Sequence, residues 1–194
     1  MRGFRVTGTP SDSVKFALGH LMENKPDCIV SGLNIGENSG ISSIYSGTVA
    51  AAREGAFWGV LSFAFSVCVQ GRPHAAAYAA MAPGLLDTIS AIALNGMRGD
   101  RNRTFFNVNF PPCDPAECRG VRVTRQSLAF FEDRYRLERS AQNEKYWVYG
   151  EKVDIEPSDE YDSRAILNNY IAVTPLHFDS TADAAITHLK VLEQ

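Results

Sequence analysis

Apolar residues along the first two thirds of the chain alternate between two patterns, short continuous runs and longer stretches at helical spacing. "GTPSDSVKFALGHLM" predicts a helix: Thr9 supplies a cap, Pro10 suits the first helical position, and Asp12 complements the positive end of the dipole. Val14, Ala17, Leu18, Leu21 and Met22 then recur on one helical face. "KPDCIVSG" predicts a short buried strand, "GTVAAAREGAFWG" a second helix ended by Gly59, and "VLSFAFSV" the next strand. "HAAAYAAMAPGLLDTISAIALNG" predicts a long helix, interrupted or kinked at Pro83-Gly84 and stopped at Asn95-Gly96. "TFFNVNFPP" reads as a strand closed by two prolines. Such alternation implies an α/β, Rossmann-like fold, with a mainly parallel sheet, right-handed crossovers and helices on both faces.

From Gly120 the pattern changes. "VRVTRQSLAFFEDRYRLERSAQNEKYWVYGEKVDIEPSDE" is rich in aromatic and charged residues and lacks helical periodicity, so it predicts a β-hairpin arm with an acidic tip or exit. "NNYIAVTPL" is a further strand and "TADAAITHLKVLEQ" a terminal helix capped by Thr181 or Ser180. The chain thus divides into an α/β core (1–125), a protruding arm (126–165) and a returning strand with terminal helix (166–194).

Composition changes this picture little. With 194 residues, 45% hydrophobic and 21% charged, the chain has the make-up of a globular protein of one domain, or one domain with an appendage. The net charge of −3 and the lack of a basic block argue against a nucleic-acid duplex as partner. No continuous apolar run approaches the roughly 20 residues of a membrane span, and the N-terminus lacks the apolar region of a signal peptide. Cys28, Cys68, Cys113 and Cys118 read as reduced thiols of a cytoplasmic protein. Cys113 and Cys118 lack a second ligand pair for zinc.

The stretch from Ser31 to Thr48, "SGLNIGENSGISSIYSGT", contains no Lys, Arg or His and links a predicted strand to a predicted helix. Such loops bind ligands in doubly wound sheets. Glycines let backbone N–H groups approach a ligand, and the helix start favours an anion. Ser46 and Thr48 add hydroxyls there, while Asn34 and Asn38 offer amide groups to a cation or an oxyanion. The stretch matches neither the P-loop nor the dinucleotide fingerprint.

"VSGLNIGENSG…YSGTVAAAREGA" resembles the signature of the SurE family of metal-dependent 5′/3′-nucleotidases, S-G-(I/V)-N-x-G-x-N-x-G followed by (Y/H)-S-G-T-V-x-x-A-x-E-G. The likeness extends through "GTPSDSVKFAL", "NVNFPP", "RGVRVTRQS", "KYWVYG" and "YIAVTPL". It implies hydrolysis of nucleoside monophosphates or other phosphomonoesters with Mg²⁺ or Mn²⁺. It implies Asn34 as a metal ligand and Asn38, Ser46, Gly47 and Thr48 as phosphate-binding residues. It also implies a homodimer or homotetramer that exchanges the arm and the terminal helix.

The sequence departs from the family pattern in places. Ile35 stands where the family often has Arg, and Ser42 where it usually has Asp. The family's N-D-D-G segment, whose aspartates hold the metal, falls ahead of the first element shared here, so the 194 residues read as N-terminally truncated and no residue is assigned as catalytic. The alternative is a catalytically incomplete member that binds phosphate or oligomerises without turnover. Glu132, Asp133, Asp154, Glu156, Asp159 and Glu160 are expected to be solvated charges rather than substitutes. Of the histidines, only His177, beside a strand's carboxyl end, is a candidate to touch the site; His20, His74 and His188 are not. Tyr146, Trp147 and Tyr149 are expected to pack the hairpin or an oligomer contact.

Overall fold

The computed structural model describes residues 3–96, 104–140 and 143–193. Thr9 and Asp12 form a capping box at the start of α1 (Pro10–Phe16), with the Thr9 backbone N–H donating to Asp12 Oδ2 at 2.8 Å. These bonds hold the Asp12 carboxyl below the usual carboxylate range. The helix continues as a wider turn over Ala17–Leu21. Then come β1 (Cys28–Ile35), α2 (Ser42–Tyr45), α3 (Gly47–Phe57) and β2 (Leu61–Val67). Gly59, at φ +75°, turns the chain out of α3 as its position predicts. A short 3₁₀ turn leads into α4 (Ala75–Gly96), followed by β3 (Thr104–Phe110) and β4 (Val121–Val123).

The hairpin of β5 (Phe130–Arg139) and β6 (Glu144–Val153) forms a separate two-stranded sheet. After it the chain returns through α5 (Asp162–Leu167) and β7 (Ile171–His177) to α6 (Asp183–Leu189).

The main sheet runs β1-β2-β3-β7-β4. β1, β2 and β3 are mutually parallel, β7 lies antiparallel to β3, and β4 is parallel to β7. The sheet is therefore mainly parallel, as the alternation predicts, with one reversal at β3/β7. One face of β2 and β3 is aromatic and aliphatic. Phe63, Phe65, Val67, Phe106, Val108 and Phe110 pack there with Tyr78 of α4, whose ring lies 4.7 Å from that of Phe110. Burial pushes the Tyr78 phenol up, and its hydroxyl donates to the Cys113 carbonyl. The opposite face, toward α3, carries Ala64 and Phe105 but also Ser62, Ser66, Asn107 and Asn109, all fully buried.

Several local expectations are corrected. α4 runs through Pro83 without interruption, because one missing N–H removes a single bond from a helix of 22 residues. The helical stretch Val69–Asn95 contains an 18-residue window that is, by length and composition alone, apolar enough to cross a membrane, with a mean hydropathy of 1.4. A search for continuous apolar runs misses it because Ser, Thr, Gly, Pro and Asp87 interrupt an alanine-rich sequence. Neither Ser180 nor Thr181 caps α6; the N-cap is Ala182, and Thr181 bonds to Asp179 instead.

Candidate functional site

The ends of β1, β2 and β3 stand level, with Ile35, Val67 and Phe110 in register. One rung earlier, Asn34, Ser66 and Asn109 form a polar row across the three strands. The glycine-punctuated stretch leaves the sheet from this edge. Its first residues, through Ile35, belong to β1 rather than to a loop.

Asn38 fixes the loop to that row. Its backbone N–H donates to Asn109 Oδ1 at 2.8 Å and its side-chain Nδ2 to Ser66 Oγ at 2.7 Å. Its carbonyl accepts from Asn107 Nδ2, also at 2.7 Å. Asn107 and Asn109 sit two residues apart on one strand face, so both point the same way. A second set of bonds holds Ser39 to Ser43. Asp162, the first residue of α5, is fully buried, and its Oδ2 accepts from Gly40 N–H at 3.0 Å. Its Oδ1 accepts from the N–H groups of Ser127 and Ser163, at 2.9 and 2.7 Å. Ser163 Oγ lies 3.1 Å from Ser39 Oγ, and Ser43 Oγ donates to the Gly40 carbonyl. Gly40 has φ +57°, and a Cβ there would stand 2.4 Å from the Ala129 carbonyl oxygen, so only glycine fits.

Beyond α2 the chain reaches Ser46, the N-cap of α3, whose Oγ accepts from Val49 N–H at 3.1 Å. Gly47 and Thr48 are the first two residues of that helix, where N–H groups have no intrahelical acceptor. Gly47 is exposed and Ser46 and Thr48 half-buried, so this end of the stretch meets solvent. Asn34, half-buried at the end of β1, donates from Nδ2 to the Gly36 carbonyl at 2.6 Å, which leaves Oδ1 as the acceptor of that amide.

Glu37 is the loop's one carboxylate. It pairs with Lys152 of β6 and accepts from Cys68 Sγ at the end of β2. Burial, with the Glu37 carboxylate beside it, pushes the Cys68 thiol up, so it stays protonated at neutral pH.

His177 is not part of this edge. It pairs with Thr104 at the start of β3, because β7 runs antiparallel and carries its carboxyl end to the opposite side of the sheet. Glu156 is buried and the half-buried Asp154 keeps only 7% of its side chain exposed, so neither is a solvated charge. Asp154 Oδ2 lies 3.1 Å from Arg164 Nε, whose N–H is directed to the Glu156 carbonyl, and Glu156 Oε1 accepts from Leu128 N–H. Tyr146, Trp147 and Tyr149 are exposed on the hairpin. All four cysteines are free thiols.

A family sequence model described as survival protein SurE matches residues 1–133. A 5′-nucleotidase SurE of Microcystis aeruginosa is 37% identical over 193 residues, covering 94% of this chain and 69% of the relative. This chain belongs to the SurE family. A 5′-nucleotidase SurE of Desulfatibacillum aliphaticivorans is 36% identical over 187 residues, covering 95% of the chain and 71% of the relative. The crystal structure of the SurE protein from Aquifex aeolicus superposes with a TM-score of 0.72 at 32% identity, covering 96% of this chain and 74% of that one. The mixed α/β architecture is thus that of a SurE protein.

The sequence announces the stretch but not its supports. Ser66, Asn107, Asn109, Asp162, Ser163 and Lys152 are partners of the loop that the sequence does not announce, because each lies far from it along the chain. The one local signal was "NVN", two amides on the same face of an otherwise apolar strand.

Proposed function

We propose that this SurE-family chain is a phosphomonoester hydrolase of the 5′-nucleotidase type, acting on nucleoside monophosphates with Mg²⁺ or Mn²⁺. One observation carries the reading. The exposed N-terminus of α3, capped by Ser46, opens at the same sheet edge as Asn34. The N–H groups and hydroxyls of Ser46, Gly47 and Thr48 suit phosphoryl oxygens, which gain charge as the ester bond breaks. Asn38 serves the same end by anchoring the loop, and its Nδ2 has a second hydrogen beyond the one given to Ser66.

Asn34 Oδ1 fits a hard cation as one oxygen ligand. A shell of about six oxygens needs carboxylates as well. Among the described residues, no group of three or more His, Cys, Asp or Glu is placed to hold a metal. The residues described supply part of a site rather than all of it. We assign the remaining ligands to aspartates of the kind the family carries in its N-D-D-G segment. A divalent ion bound there supplies a Lewis acid and an acidified water. The reading without turnover is not favoured, since the curated relatives carry the 5′-nucleotidase name.

The proposal extends to a cytoplasmic homodimer or homotetramer, supported by the four free thiols and by the exposed apolar residues of the arm and the last helix. The test is phosphate release from nucleoside monophosphates with and without added Mg²⁺ or Mn²⁺, using these 194 residues and a version extended upstream by an N-D-D-G segment. Metal-dependent release from the extended version, lost on Asn34→Ala, with negligible release from the 194 residues alone, is the expected result. Release that ignores both the metal and Asn34→Ala overturns the assignment.

A further inference from the structure

Lys152 reaches out of the arm and onto the anion loop. It lies on β6 opposite Phe131, and its Nζ donates to Glu37 and, at 2.7 Å, to Ser39 Oγ. Both partners of the ion pair retain only 16% of their side-chain exposure, so the contact is shielded from solvent. The other Glu37 oxygen is occupied by the Cys68 thiol, and Ser39 also meets Ser163. Lys152 thus joins the hairpin to the loop through Glu37 and Ser39, and through Glu37 to Cys68 at the end of β2. From 31 to 48 the loop has no cation of its own. Glu37 and Ser39 stand at two positions that the SurE pattern leaves open, so this latch belongs to the present chain rather than to the signature.

We propose that Lys152 is a positioning residue, through which the arm holds residues 36–41 in their anion-receiving form. The proposal rests on the reading of this loop as a phosphate cradle. With Lys152 engaged, Glu37 is neutralised and drawn to the arm. Without it, an unpaired carboxylate stays a residue away from Asn38, repels an incoming phosphate and loosens the loop. The arm therefore sets the affinity of a site to which it contributes no phosphate ligand.

The test compares wild type, Lys152→Met, Lys152→Arg and Glu37→Gln in the full chain by amide hydrogen exchange over 36–41 and by calorimetric titration with inorganic phosphate. Lys152→Met is expected to speed exchange across 36–41 and to raise the phosphate Kd by about tenfold, as losing a charge-assisted bond does. Lys152→Arg restores both. Glu37→Gln speeds exchange as Lys152→Met does but weakens phosphate less, because it removes the repelling charge along with the latch. Unchanged exchange in Lys152→Met overturns the proposal. So does weaker phosphate binding without faster exchange, which makes Lys152 a direct ligand, and so does faster exchange at unchanged affinity. If the wild type itself binds no phosphate, the cradle reading fails, and the exchange comparison alone decides whether Lys152 holds the loop.

Discussion

Asp162 offers the sharpest test of how the loop is held. Its carboxylate is fully buried and accepts three backbone N–H groups, from Gly40, Ser127 and Ser163. Replacing it with alanine orphans all three donors, and a buried unpaired donor costs about 1–3 kcal/mol. Two effects reduce the sum. Removing the carboxylate recovers part of its desolvation penalty, and the vacated space admits a water that serves one donor. The expected net loss for Asp162→Ala is about 3–4 kcal/mol. Asp162→Asn keeps an oxygen toward Ser127 and Ser163 but turns an NH₂ toward Gly40 N–H, so it should cost about 1–2 kcal/mol. Urea unfolding reads both. With a slope of about 2–3 kcal/mol/M, alanine should lower the midpoint by roughly 1–2 M, and asparagine by about half of that. In Asp162→Asn the gain in amide exchange should centre on Gly40, the one bond reversed. An alanine variant that loses less than about 1 kcal/mol, or an asparagine variant as unstable as alanine, would refute the pegging role.

Replacing Ser46 and Thr48 together by alanine should weaken binding of phosphate or vanadate and remove about 1 kcal/mol of helix capping; unchanged anion affinity in a titration rejects α3 as the anion site. Stability should fall with rising alkalinity. Cys68 and Tyr78 titrate higher when folded, so the unfolded chain releases protons first, and stability intact below about pH 8.5 is lost as pH climbs. Denaturation midpoints at pH 8 and pH 10 check this, and Cys68→Ala should flatten part of the slope; an equal slope in the variant dismisses Cys68 as a source. Deleting Phe130–Tyr149 should yield monomers by light scattering where the intact chain associates, and a monomeric intact chain at high concentration sinks the oligomer proposal.

What the sequence makes legible here follows from how local the cause is. The capping box of α1 lies within four residues, and β2 and β3 announce themselves as continuous apolar runs between breakers. The direction of β7 is not written in "YIAVTPL", which reads the same for a strand running either way. It is set by where the arm and α5 deliver the chain, and the misplacing of His177 follows from that alone. α5 leaves no trace in the hydrophobic pattern because six residues are too few for a helical period to emerge. Asp162 pegs a glycine 122 positions earlier in the chain, so no window of sequence contains both partners.

The candidate site shows the same division inside one stretch. Every polar residue from Ser31 to Thr48 looks alike as a ligand donor when only composition is visible. In the fold two groups among them stand apart by what they face. Asn38, Ser39 and Ser43 are buried and bonded to β2, β3, α5 or the loop itself, so much of their polarity is spent on keeping a glycine-rich segment in one shape. Ser46, Gly47 and Thr48 stay accessible at a helix end. Holding the first group rigid is what lets the second act. A helix N-terminus on a slack loop would pay ordering entropy each time it met an anion, whereas one pinned on two sides has that cost met by folding. Substitutions in the buried group should therefore lower stability and affinity together, and those in the exposed group should lower affinity while leaving all but the helix cap intact.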